Sequence, residues 1–454
     1  MTNASIGSAS HSHPAQALPK VARGKGIYVY DTTGKRYIDA SGGPVVYCLG
    51  HGNEEVNAAI TLQLSRIAHG YRYMFTSDPA EELRDLIVEA CGPDLEHMVF
   101  VSGGSEAVES ALKLALQYHT ARGERSRRRF ISRRRSWHGN TLGALSVSDF
   151  LVRRAPFEGA LIEASFVAAV NAYRPPAGVS TADLSDHGIA ELEAEILRVG
   201  ADKVAAFIFE PVVGAAGGAV PAPAGYAAGI REVCDRYGVL MIADEVMCGS
   251  GRCGTWRALQ HDGAMPDIMT VAKGLGGGYL PLGAAIYHRS IAEVINAVDG
   301  GPLTGHTFTG HTACCAAGVA VQTIVRRERL VERVRTTGVQ FQRMLRNALE
   351  PVEAVGDIRG RGFFVGIEFV ASRETREPFS ASAQVANRIG RAAAVDGLLC
   401  YPSMGNVDGV RGDTVILAPP YNATMDELQE IVELFTHSVR RALDEVAALP
   451  AASS

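Results

Sequence analysis

Asp244 and Lys273 stand at the ends of two apolar runs, LMIAD and IMTVAK, inside the stretch Val239–Ala284. Such runs read as buried strands. An acid and a lysine at the carboxyl ends of neighbouring buried strands suit a pyridine-aldehyde cofactor. The lysine can form an imine with the aldehyde, and the acid can hold a proton on the ring nitrogen. Burial of a lysine also favours its neutral, nucleophilic amine. The glycines after Lys273, in GLGGG, leave room for a cofactor. Taken singly, Lys273 could be a surface lysine before a flexible loop, and Asp244 could cap the loop that follows it. Glu245 reads as structural, its carboxylate bonded to nearby backbone.

A phosphate cradle would complete the cofactor, and Ser102-Gly103-Gly104-Ser105 offers one. The turn lies between a strand and a helix expected from about Glu106. The free N–H groups and positive dipole end of that helix suit a dianion, and glycine lets the backbone approach. The Ser105 hydroxyl can add a hydrogen bond. Glycine is also common in strand-to-helix turns for geometry alone. Trp137 and His138, in SWHGN, offer a flat aromatic for one face of the ring, with Val246 against the other. Trp137 could equally be simple core.

The elements needed to position these groups are legible as alternating strands and helices. Two short strands joined at Thr33-Gly34 open the chain, followed by helices beginning near Asn53 and over Pro79 to Ala90. Buried strands are expected at AAFIFEP, VLMIADEV and PDIMTVAKG, with a helix over AGYAAGIREVCDRYG. Continuous apolar strands alternating with helices imply a mostly parallel sheet covered on both faces. Residues that act in such sheets gather at the strand carboxyl ends, where Glu210, Asp244 and Lys273 would lie. Beyond Thr312 come a long helical region, the strand FFVGIEFV, a helix from roughly Ala381 to Asp396, the strand TVILAPP and a last helix near Met425, capped by Thr424. The expected division is a disordered tail over 1–20, an N-terminal segment of a smaller α+β domain over 21–70, a large domain over 71–320, and the rest of the small domain over 321–454.

Composition sets the outer limits. With 454 residues, 47% hydrophobic and 20% charged, the chain has the make-up of a soluble globular protein. A net charge of −5 argues against a general nucleic-acid binder. The arginine run from Arg125 to Arg135 reads as a solvated loop and edge strand, with an anion or nucleic-acid patch as the alternative. Eight cysteines lack metal-site or secreted-disulfide spacing, so no metal is expected and reduced thiols in the cytoplasm are. His11 and His13 belong to the tail. No apolar run is long enough to span a bilayer.

The motifs SGGSEAVES, SWHGNTLGAL, FEPVVGAAGG, LMIADEVMCGSGRCG, AKGLGGGYLPLGA and GHTFTGHTACCAAG occur in the order found in class III aminotransferases. From about Tyr28 to the last helix the chain resembles that family. The resemblance implies a fold-type I, pyridoxal 5'-phosphate-dependent homodimer with shared active sites, with a tetramer of two such dimers as the alternative assembly. It assigns Lys273 as the Schiff-base lysine and proton shuttle, and Asp244 as the partner of the ring nitrogen. Gly103, Gly104 and Ser105 would bind the phosphate, with Thr307 reaching it from the other subunit. Trp137 stands where relatives usually have tyrosine or phenylalanine, so a phenolic hydrogen bond is lost. Val213 stands where many have glutamine, while Glu210 remains as a supporting carboxylate.

The resemblance further suggests an ω-amino acid or primary amine donor and a keto acid acceptor, pyruvate foremost, in a ping-pong reaction. Arg411, in an extended loop before Pro419-Pro420, would either clamp a substrate carboxylate or form a loop salt bridge. Tyr47, Tyr73 and Tyr401 are candidates for the pocket wall. A 2-oxoglutarate-linked aminotransferase of the 4-aminobutyrate type, a decarboxylase and an aminomutase of the same family keep the same cofactor site. A non-catalytic relative would be expected to lose Lys273 or Asp244, and both are present.

Overall fold

The computed structural model describes residues 18–92 and 94–449. Most of the tail expected over 1–20, including His11 and His13, lies outside them. At the centre is a seven-stranded sheet in the order His97–Val101, Gly283–Tyr287, Ile268–Val271, Leu240–Asp244, Val204–Phe209, Arg129–Arg133, Ala164–Val167. The last five strands in that order are mutually parallel, and Gly283–Tyr287 alone runs antiparallel to both its neighbours.

The unbroken apolar strands have a direct cause. Successive side chains point to opposite faces of a sheet, and here both faces are covered. Phe207, Phe209, Met241 and Ala243 enter one cluster, with residues of the helices Leu184–Val199 and Tyr226–Tyr237. Ala206, Ile208, Leu240 and Ile242 enter another, with residues of the helices Gly104–Ala121 and Arg289–Asp299. Each large aliphatic or aromatic side chain buried this way contributes about 1.5–3 kcal/mol.

The strand Arg129–Arg133 is interior, paired on both sides, where the sequence suggested an edge. It tolerates its arginines because their head groups find acceptors. Arg133 donates to the Glu210 carbonyl, and Arg129 pairs with Glu163 at the surface. Arg127, just before the strand, donates to the carbonyls of Ala201, Val204 and Tyr237.

A second assembly joins the two ends of the chain. The antiparallel strands Val21–Lys25, Tyr28–Asp31 and Arg36–Asp39 are continued by Leu398–Leu399, which runs parallel to the last of them. Beside it lies an antiparallel sheet of Val355–Arg361, Phe364–Phe369, Asp413–Leu417 and Tyr401–Met404. Ile27 and Ile38 share one core with Phe341, Phe369, Ile389 and Phe435. The last helix, Met425–Ala447, starts at a capping box in which the Thr424 hydroxyl accepts from the Glu427 N–H. The helix Thr312–Arg327 runs unbroken through position 320 and packs on both Glu54–Arg66 and Asp78–Cys91.

Candidate active site

Parallel register brings the carboxyl ends of three strands together. Ala243 lies opposite Phe209, and Asp244 opposite Thr270. Glu210, Asp244 and Lys273, each at or just past its strand, therefore emerge at one edge of the sheet. With Gly104, Ser105, Trp137, His138, Gly139, Val246 and Met247 they line a cavity of about 140 Å³. Of the residues singled out in the sequence for the cofactor, Gly103 adjoins this lining as the residue before the helix Gly104–Ala121. Thr307 does not reach the cavity; it is exposed on the loop before the helix Thr312–Arg327.

Asp244 is buried and fixed from three sides. One oxygen accepts from the Thr270 hydroxyl and the Val246 N–H, both at 3.0 Å, and the other lies 2.7 Å from His138 Nδ1. His138 is itself held by its N–H to the Ser148 hydroxyl, at 2.8 Å. Glu210 accepts from the N–H groups of Trp137, at 2.9 Å, and Gly214, at 2.7 Å, while burial raises its carboxyl above the ordinary range. Glu245 turns away and accepts from the N–H groups of Ala258 and Leu259.

Lys273 has a backbone φ of +46°, a left-handed conformation that side chains with a Cβ rarely adopt. The turn after it holds that conformation, with the Gly276 and Gly277 N–H groups on the Lys273 carbonyl. Its ammonium makes no hydrogen bond or ion pair among the described residues. Burial lowers its pKa to about 8, against the upward pull of Asp244 and Glu210.

The helix Gly104–Ala121 begins two residues earlier than its apolar pattern implies, so Gly104 and Ser105 form its first turn. A Cβ at Gly104 would lie 2.7 Å from Val246 Cγ1, and one at Gly139 would lie 2.6 Å from Ser105 Oγ. Both glycines are thus required by close approach around the helix start. The Ser105 hydroxyl accepts from the Asn140 N–H at 2.9 Å.

Of the aromatic residues singled out in the sequence, Trp137 lines the cavity, while Tyr47, Tyr73 and Tyr401 are not among its lining. Trp137 meets Phe150 edge to face at 5.8 Å, and both pack with Tyr401 against one apolar cluster. Tyr47 leans on His51, with ring centroids 4.3 Å apart, and fits beside Gly278, where a Cβ would lie 2.5 Å from its ring. Tyr73 is exposed. Of the two readings of Arg411, the structure shows the loop salt bridge. Its guanidinium is exposed and engages Asp408 at 2.7 Å and Glu377 at 3.0 Å. Three groups at the site had no motif of their own in the sequence. They are Thr270, Ser148 and Arg153, whose guanidinium lies 4.8 Å from the centre of the Trp137 ring.

An unpaired amine, a buried carboxylate braced for a cationic partner, a glycine-lined helix start and a flat indole fit the aldehyde, ring nitrogen, phosphate and ring of pyridoxal phosphate. The family model for class III aminotransferases matches residues 9–439. An aminotransferase of Schizosaccharomyces pombe is 41% identical over 97% of this chain and 96% of its own. A diaminobutyrate–2-oxoglutarate transaminase of Halomonas elongata is 34% identical over 93% of this chain and 90% of its own. Among solved structures, a pyridoxal phosphate-bound amine transaminase of an uncultivated Pseudomonas species superposes with a TM-score of 0.88. It is 33% identical, covering 96% of this chain and 99% of that one. The chain belongs to the class III aminotransferases, fold-type I enzymes that depend on pyridoxal phosphate.

Proposed function

We propose that this aminotransferase takes the amino group of an ω-amino acid or primary amine and passes it to a keto acid, pyruvate foremost, by a ping-pong mechanism. The observation that carries the reading is the single cavity joining Lys273, Asp244 and the Gly104–Ser105 helix start. The choice of an amine donor is supported by the likeness to the amine transaminase structure. The Halomonas relative, named for 2-oxoglutarate, favours that acid as the second reading.

Pyridoxal phosphate supplies a carbonyl carbon for the amine and a ring that draws electrons from the substrate carbon. Lys273 is the nucleophile that holds the cofactor, and afterwards the base that moves a proton to and from the substrate carbon. A pKa near 8 leaves a useful fraction of it neutral close to neutral pH. Asp244 keeps the ring nitrogen protonated, and His138 and Thr270 hold that carboxylate in place. Gly103, Gly104 and Ser105 would receive the phosphate, Trp137 and Val246 would lie beside the ring, and Glu210 braces the Trp137 backbone. Tyr47 and Tyr401 wall the substrate space.

The active unit in this reading is a homodimer, with Thr307 of one copy completing the phosphate site of the other. Exposed Leu64, Ile67, Tyr71, Met74, Phe75, Leu303 and Phe308 support it, because large apolar side chains gathered on a surface mark an interface. Residues 21–70 and 321–454 are proposed as one small domain on the large domain of 71–320. The absence of disulfides among the described residues supports a reducing compartment, the cytoplasm. No helix among those residues is long and apolar enough to cross a membrane.

The test is a panel of ω-amino acids and primary amines with pyruvate or 2-oxoglutarate, scored by the amino acid formed. Alanine formation is the expected result. Glutamate formation without alanine would transfer the assignment to the second reading. Carbon dioxide release, or isomerisation without an added keto acid, would replace it with a decarboxylase or an aminomutase.

A further inference from the structure

A keto acid brings a carboxylate into the cavity, and a buried or half-buried carboxylate needs a cationic partner. Arg411 is already committed to Asp408 and Glu377. Among the described residues Arg153 is committed to no acid. It sits on the short helix Leu151–Arg154, just past Phe150, with its guanidinium 4.8 Å from the Trp137 ring centre and 5.6 Å from that of Phe150. Its Nε is sealed from solvent without a hydrogen-bond partner, and no ion pair engages its head group among the described residues. The acids nearest in sequence are occupied elsewhere, Asp149 by Arg135 at 3.1 Å and Glu158 by Arg154 at 4.0 Å.

Two aromatic rings therefore hold a guanidinium beside the cavity while its N–H donors are unused. Cation–π contact with the rings restrains the head group of an arginine and leaves N–H groups available for bonds to a carboxylate. We infer that Arg153 binds the acidic group of the substrates, the carboxylate of the keto acid in one half-reaction and that of an ω-amino acid in the other. The positive charge of Arg153 is felt at both Lys273 and Tyr401, which places it within electrostatic reach of the reacting end and of the pocket wall. A simple amine has no group for Arg153 and would be admitted on apolar contacts alone. Arg153 holds this role only if the cavity takes an amine donor and a keto acid, as proposed above.

The test compares wild type, Arg153→Gln and Arg153→Lys as cofactor-loaded enzymes. Binding of the unreactive carboxylates propionate and glutarate is read from the perturbed cofactor absorbance. The half-reaction with butylamine is measured beside it. In Arg153→Gln, carboxylate binding should weaken by roughly ten- to hundredfold, with the half-saturating butylamine concentration unchanged. Arg153→Lys should recover part of the carboxylate affinity, because it keeps the charge and loses the planar fork. Unchanged carboxylate binding in Arg153→Gln, or equal weakening toward carboxylates and butylamine, would overturn the inference. The carboxylate titration needs no turnover. A wild-type enzyme that aminated neither keto acid would sink the proposed function while leaving the Arg153 result readable.

Discussion

At the scale of single residues, the proposed chemistry depends on how a buried carboxylate, Asp244, and the amine of the half-buried Lys273 are held. Lys273→Ala should abolish turnover and the absorbance of the lysine-bound cofactor while leaving far-ultraviolet circular dichroism intact. Full turnover in that variant would contradict the role given to Lys273. Asp244→Asn should lower the rate by roughly 10²–10³-fold, the usual cost of removing a placed charge from a dry site; Thr270→Ala should cost less, since His138 still fixes the carboxylate. The depressed pKa of Lys273 has its own signature in the cofactor-free protein. Between about 8 and its unfolded value the unfolded chain binds the extra proton, so stability rises with pH across that window. Below pH 8 the full penalty of burying the ammonium is present. Lys273→Met should therefore melt higher than the wild-type apoprotein at pH 7, by a margin that shrinks toward pH 10. A constant margin would refute it. Asp244 and Lys273 were readable because each ends an apolar run, where a charge is out of place without a task. Arg153 was not readable, since an arginine in LVRRAP looks like any surface cation until Trp137 and Phe150 are folded beneath it.

At the scale of elements, the proposed phosphate cradle depends on the distance between the start of the helix Gly104–Ala121 and the turn after Asp244. Gly104→Ala would set a Cβ 2.7 Å from Val246 Cγ1, and relieving such a clash costs about 1–3 kcal/mol. Cofactor affinity, measured by equilibrium titration, should fall accordingly, and adding Val246→Ala should restore part of it. No change in affinity for Gly104→Ala would argue that the helix start is not the cradle. At the far end of the chain, Thr424→Ala should remove the cap of the last helix and cost about 1 kcal/mol in denaturant unfolding. Helix and strand positions followed from period and caps, as at Asn53 and Thr424. The interior place of Arg129–Arg133 did not, because the acceptors for its arginines come from residues far along the chain. The antiparallel strand Gly283–Tyr287 shows the same limit: pairing direction is set by the path between strands, which local composition does not encode.

At the scale of the whole molecule, strands from both ends of the chain share one core, so truncation at either end should destabilise the other. The larger claim is that two copies share each active site. Mixing the inactive Lys273→Ala protein with a Thr307→Ala protein tests it. A mixed dimer built with Thr307 acting across the interface contains one native site, from Lys273 of one copy and Thr307 of the other. Refolding the two variants together should raise activity above that of either alone; no gain would place Thr307 in its own subunit's site or outside the chemistry. The most direct measurement for the whole account follows the loaded enzyme through one half-reaction at a time. β-Alanine or a primary amine alone should convert the cofactor to its aminated form, and pyruvate should restore the starting spectrum with one alanine made per site. Failure of every such amine to convert the cofactor, or restoration by 2-oxoglutarate but not by pyruvate, would contradict it.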